Sequence, residues 1–203
     1  MKLPDFFHAV PPLLLRDPLA AFLGAAEDGL LEYRYSDAVK LAGHSCPTVA
    51  GAWLMTRRAL AVLYGDAVPE RGGIRVEFRD PQGDGVTGVI ANVVGLLTGA
   101  AADGGFKGIG GQFNRHGLMH FGTAMEGEIR YTRLDTAAAV ETAYHPQHVP
   151  AWPETGMLLQ KIQAGSASPE ERREFGRLWQ ERVKRLLIEY ADAPGLVTVR
   201  SKI

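Results

Sequence analysis

Runs of apolar residues with two distinct periods organise this chain. Leu30 to Tyr35 alternates apolar and aromatic with charged residues and predicts a short strand. Ser36 then reads as an N-cap, Asp37 to Ala42 as a short helix, and Gly43 as its stop. A longer helix opens at Pro47, where the missing N–H would be unpaired anyway, and ends at Gly65. Val49, Trp53, Leu60 and Leu63 form its apolar face, with Arg57 and Arg58 near the middle. Ile74, Val76 and Phe78 alternate with Arg75 and Glu77, a half-buried strand, and Asp80 to Gly85 is turn chemistry. Val86 to Leu97 is almost uniformly apolar with small Gly88, Ala91 and Gly95. It reads as a buried helix, although length alone does not exclude a buried strand.

Gly104 to Gly111 is a glycine-rich loop. Leu118 to Phe121 and Glu128 to Arg133 read as strands paired around the Glu126-Gly127 turn, and Thr136 to Tyr144 as a helix. Three prolines make His145 to Pro153 a non-helical connector. Ser168, Pro169 and Glu171 compose a capping box, because the Ser168 hydroxyl and the Glu171 carboxylate can each satisfy an otherwise unpaired N–H. Phe175, Leu178, Trp179, Val183, Leu186, Leu187 and Tyr190 then recur at helical spacing, to about Tyr190. Gly195 to Arg200 closes as an edge strand. The mixed order predicts an α+β fold, with a mixed sheet packed with helices over residues 1–145 and a mostly helical extension over 146–203 that ends in a short strand.

Composition narrows the function classes. The 203 residues carry a formal charge of −1 with both signs mixed along the length, and no polybasic stripe points to nucleic acid or an anionic membrane. No segment reaches the ~20 apolar residues of a membrane span. The opening Met1-Lys2-Leu3-Pro4-Asp5 lacks the basic-then-apolar pattern of a secretory leader, and the lone Cys46 cannot form an internal disulfide, so a cytoplasmic chain is expected.

That cysteine also carries the strongest chemical signal. His44 and Cys46 lie two apart in Gly43-His44-Ser45-Cys46-Pro47, and in extended backbone their side chains project the same way. Zinc takes this mixture of donors, at ~2.0–2.1 Å to nitrogen and ~2.3 Å to sulfur. Unpaired N–H groups at a helix start lower the cost of negative charge on a sulfur there. Two ligands are too few for a zinc site, so others must come from elsewhere. His116 and His120, four apart, are the first candidates, followed by His145 and His148 in the connector. A small buried cysteine and histidines without special tasks are the plain alternative. The 104–111 loop could cradle an anion on its backbone N–H groups with Lys107 adding charge, but it lacks the Gly-Lys-Ser/Thr ending of a phosphate loop.

Gly43-His44-Ser45-Cys46-Pro47 with Gly51 behind it, Leu97-Thr98-Gly99 after a buried helix, and Phe106-Lys107-Gly108 form a combination over roughly residues 36–135 that resembles the FmdE-like family. That family is named after one of the subunits of formylmethanofuran dehydrogenase. The resemblance implies an α+β domain, often a homodimer, with a metal held by His44 and Cys46. Thr48 stands where that family usually has Gly. Val89 and Asn92 stand where it commonly has Cys and Asp, so the second thiol is absent; Asn92 remains able to hydrogen-bond a ligand or bound water. The implied functions are a zinc-dependent enzyme acting on a small molecule, a non-catalytic accessory protein holding a metal or metal-containing cofactor for a molybdenum or tungsten enzyme, or a structural dimer with a degenerate site.

Overall fold

A computed structural model describes residues 3–202, and its α+β architecture agrees with the expectation. A small antiparallel hairpin, β1 (Leu13–Arg16) and β2 (Leu30–Tyr33), precedes the body. Between its strands lies α1 (Pro18–Phe22), capped by Asp17, and after it comes α2 (Tyr35–Ala42). The body pairs α3 (Pro47–Tyr64) and α4 (Thr87–Thr98) with a five-stranded sheet. Its strands are β3 (Ile74–Phe78), β4 (Met119–His120), β5 (Ile129–Arg133), β6 (Ala139–Tyr144) and β7 (Val197–Lys202). Spatial order is β4-β3-β5-β6-β7, with β4 parallel to β3 and all other pairs antiparallel. Helices α5 (Pro153–Gln163) and α6 (Pro169–Lys184) follow, and α6 runs on into a π-helical turn at Arg185–Glu189. No helix of the described residues is long and apolar enough to cross a membrane.

The core is built around α3. Val49, Ala50, Ala52, Trp53, Leu54 and Met55 have no exposed surface, so the first half of this helix is covered on all sides. It lies between α4 and the sheet, over β6 and β7. Period-2 alternation sets the two sheet faces. Met119, Val76, Tyr131 and Val140 form one cross-strand row facing α3, and the Tyr131 hydroxyl donates to Thr56 Oγ1 at 3.1 Å. The next row, His120-Glu77-Arg130-Glu141-Arg200, faces the other way and alternates basic and acidic groups across all five strands.

Several expectations change. Residues 139–144 form a strand rather than a helix. The alanines of 137–139 favour helix, but Val140, Thr142 and Tyr144 alternate inward, and pairing with both β5 and β7 outweighs local propensity. Ala137, at φ 59°, closes the β5–β6 turn. The expected pairing of 118–121 with 128–133 fails because β3 lies between them. Helix α2 starts two residues early: Arg34 precedes it and donates its backbone N–H to the Asp37 carboxylate at 2.9 Å, so Ser36 is not the cap. Strand β1 and helices α1 and α5 were not expected. In α5 the third connector proline occupies the first helical turn and starts the helix instead of breaking it.

The capping box at α6 forms as expected, Ser168 N donating to Glu171 Oε2 at 2.8 Å and Glu171 N to Ser168 Oγ at 3.2 Å. Residues beyond 146 share the main core: Val149, Val183, Leu186, Leu187, Leu196 and Val197 are buried in it, and β7 completes the sheet.

Glu141, 1% exposed, anchors the charged row. It accepts from Arg130 Nη2 (2.7 Å) and Nε (3.1 Å) and from the Gly127 N–H (3.1 Å), with Lys202 Nζ at 3.4 Å. Burial opposes its charge, but these partners more than offset burial and hold the carboxyl below the ordinary 4.5. A lowered native value means a contribution present above the unfolded value and lost as pH falls through the native one. Glu141→Gln should therefore cost about 1–3 kcal/mol at neutral pH. Urea melts should show the gap to wild type closing in acid; a gap independent of pH would contradict the assignment.

Candidate functional site

The Gly43–Pro47 loop joins α2 to α3, and its conformation follows from its sequence. Gly43 ends α2 at φ 75°, a left-handed position that glycine adopts without steric cost. Cys46 is the N-cap of α3 in extended conformation, and Pro47 takes the first helical turn. The Cys46 sulfur accepts a hydrogen bond from the Val49 N–H at 3.5 Å and is 8% exposed. His44 is exposed, and its Nδ1 lies 2.9 Å from the Ala42 carbonyl oxygen. A carbonyl only accepts, so Nδ1 carries the proton and a neutral ring keeps its lone pair on Nε2. Both side chains thus have the supporting contact that orients a metal ligand.

The loop's middle residue is held from a distant part of the chain. The Ser45 carbonyl accepts from Trp179 Nε1 and Gln180 Nε2 of α6, each at 3.1 Å. The Ser45 and Tyr35 hydroxyls are 3.0 Å apart. Tyr144, at the end of β6, lays its ring over Gly51: a Cβ there would meet ring carbons at 2.4 Å. Its hydroxyl and Gln180 Oε1 are both buried without a hydrogen-bond partner among the described residues. Burial pushes the Tyr144 phenol well above its ordinary value, and the nearby Tyr35 and Cys46 add to the shift against Arg182. Burial does the same to Tyr35, opposed by its contact with Ser45. Sequence reasoning missed this wall of Tyr35, Tyr144, Trp179 and Gln180. The one local signal was Gly51, whose missing side chain makes room for the Tyr144 ring.

The other candidate ligands lie elsewhere. His120 belongs to the charged row, on the sheet face turned away from α3. His116 sits in the loop before β4, level with the start of β3, where Arg133 Nη1 reaches the Leu63 carbonyl at 2.9 Å near the end of α3. Cys46 begins that 18-residue helix, so the helix length of about 27 Å separates the two ends. Among the described residues, no three His, Cys, Asp or Glu side chains come together as a group able to hold a metal ion. Within one chain, therefore, His116 and His120 do not complete the pair. His145 and His148 stack edge to face, ring centres 6.2 Å apart, with His145 Nε2 3.4 Å from Thr198 Oγ1. Lys107 is exposed in the 104–111 loop, and Asn92 is exposed on α4.

No family model and no curated protein matches the chain. The chemistry of the site itself therefore carries the functional reading. Two donors, one imidazole nitrogen and one sulfur, suit a borderline-soft divalent ion, and Tyr144 and Gln180 leave two unpartnered oxygens in the wall beside the loop.

The packing of Tyr144 on Gly51 is directly testable. Gly51→Ala gains about 1 kcal/mol of helix propensity, yet overpacking against the ring should cost about 1–3 kcal/mol and dominate. Denaturant midpoints should show net destabilisation, and Tyr144→Ala should make the Gly51→Ala change neutral or stabilising. Equal effects in both backgrounds would contradict the contact.

Proposed function

We propose that this chain is a metal-binding protein of the FmdE-like type, holding zinc or a similar divalent ion on His44 Nε2 and Cys46 Sγ. The observation that carries the reading is the tautomer set at His44: its Nδ1–H is committed to the Ala42 carbonyl, which leaves Nε2 unprotonated at the exposed edge of the loop. Cys46 supports it, because a sulfur at a helix N-cap with an N–H donated to it has part of the stabilisation a thiolate needs.

Two protein donors make a half-site, and the remaining positions fall to groups outside this chain, from a small molecule or a second copy in a homodimer. When bound, the metal supplies Lewis acidity. The protein's own part is to fix the loop through Trp179 and Gln180 and to keep one side of the sulfur covered. The small donor set also favours a second reading, an accessory protein that holds a metal or a metal-containing cofactor without catalysis, since open positions suit a cargo that must leave.

Elemental analysis of purified protein, after desalting, separates these readings from a metal-free structural role. Wild type should retain up to about one zinc per chain, and His44→Ala and Cys46→Ala should each lower retention about tenfold or more, as loss of a direct ligand does at least as much as loss of its supporting contact. Background metal in wild type, unchanged by either substitution, would overturn the proposal.

A further inference from the structure

A second polar centre lies at the opposite end of α3. Asp17 caps α1 through the Leu19 and Ala20 N–H groups, at 3.0 and 3.4 Å, and also receives two arginines from distant segments. Arg115 Nη2 donates to Asp17 Oδ1 at 2.6 Å, and Arg71 Nη1 donates to Oδ2. Arg71 Nη2 reaches the Leu96 carbonyl at 3.0 Å, and its guanidinium sits 5.3 Å from the centre of the Tyr33 ring. Two cations thus share one carboxylate in a largely buried setting: Arg115 is 8% exposed and Asp17 5%. Arg71 Nε and Arg115 Nη1 are buried with no hydrogen-bond partner among the described residues. An unused donor on a buried cation is costly, and so is an unbalanced positive charge.

Glycines make room for this arrangement. A Cβ at Gly72 would fall 1.6 Å from Arg115 Nη1, and one at Gly99 would fall 2.8 Å from the same atom. Two glycines from separate segments therefore form the slot that admits the guanidinium. The slot opens on a cleft of about 210 Å³ lined by Glu70, Arg71, Gly72, Gln112, Asn114 and Arg115, with Pro18 and Phe113 at its apolar side. A wider groove of about 430 Å³ shares Glu70 and Gly72 and adds Arg16 and Arg133, with Asp135 beside the latter. Four arginines, counting 16, 71, 115 and 133, face three carboxylates, Asp17, Glu70 and Asp135. The excess is one positive charge and it comes from Arg16 in the wider groove; in the cleft itself Arg71 and Arg115 face Asp17 and Glu70.

We infer that this cleft binds the oxyanion group, a phosphate or a carboxylate, of a small molecule. Arg71 and Arg115 retain N–H groups that Asp17 leaves unused, and planar guanidinium groups match the geometry of such oxygens. The Gln112 amide adds a donor at the mouth. Asn114 orders the wall, its Nδ2 donating to the His116 carbonyl at 2.7 Å. Glu70, on the rim, opposes an anion and so sets how tightly one is held. The glycine-rich loop does serve an anion in this reading, but through the arginine that follows it rather than through Lys107. This cleft and the His44-Cys46 loop share no residues and lie at opposite ends of α3, so either can bind without the other.

Isothermal titration with inorganic phosphate and with succinate, against chloride at matched ionic strength, tests it. Saturable one-to-one binding of at least one probe is expected at millimolar dissociation constant or tighter, and which probe wins distinguishes the two oxyanions. Arg115→Lys, which keeps the charge but loses the planar fork, should weaken binding about tenfold. Glu70→Gln, an exposed change that leaves the buried network intact, should tighten it about threefold or more. No saturable binding of either probe up to about 10 mM overturns the inference. So does binding that Glu70→Gln leaves unchanged, an outcome that holds even where Arg115→Lys fails to fold.

Discussion

Burial of α3 is the constraint on which the rest of the structure depends. A helix with no exposed surface on its apolar residues from Val49 to Met55 must be covered by other elements on every side. Here α4 covers one flank and strands β6 and β7 another, and α6 reaches its start through Trp179 and Gln180. Apolar area removed from water, at about 25 cal/mol per Å², is what holds these layers together. It also explains why the segment after residue 146 cannot be a loose appendage. Without β7 the sheet would expose the edge of β6, and without α6 the loop at the start of α3 would lose the donors on its Ser45 carbonyl.

The same helix sorts the polar chemistry of the molecule into separate regions. Its first residue follows the His44-Cys46 loop with two tyrosine hydroxyls nearby, and its far end lies by the arginine pair on Asp17. On the outer sheet face, Glu141 pairs with Arg130 and Lys202, Arg130 also reaches Glu77, and Arg200 pairs with Glu126. Among the described residues, Glu77 Oε2 on that face and Trp53 Nε1 in the core are buried without a partner, as are Tyr144 and Gln180 oxygens at one end of α3 and Arg71 and Arg115 nitrogens at the other. Such groups are a cost to folding. At the two ends of α3 they also border a loop and a cleft, which is why those ends are read as places where something else binds.

Much of this was legible in local pattern. Pro47 and Gly65 bracket α3, the Ser168-Pro169-Glu171 box opens α6, and the alternation of Ile74, Val76 and Phe78 marks β3. Local pattern failed at β6, where alanines argue for helix and only two neighbouring strands decide otherwise. It also failed for the ligands of the candidate site. Whether His116 and His120 can reach Cys46 depends on which sheet face a residue occupies and on which end of a long helix a loop lies, and neither is written in spacing. Tyr144, Trp179 and Gln180 come from segments far along the chain from the loop they surround. Asp17, Arg71 and Arg115 likewise meet only through the fold, though Gly72 and Gly99 hold the space for them.

The central claim is that His44 and Cys46 together face one metal ion. X-ray absorption at the zinc edge, on protein loaded with zinc and desalted, measures this directly. One sulfur at ~2.3 Å and at least one imidazole nitrogen at ~2.0–2.1 Å are predicted in the shell around zinc. A shell of nitrogen and oxygen alone, or zinc that does not survive desalting, would contradict it.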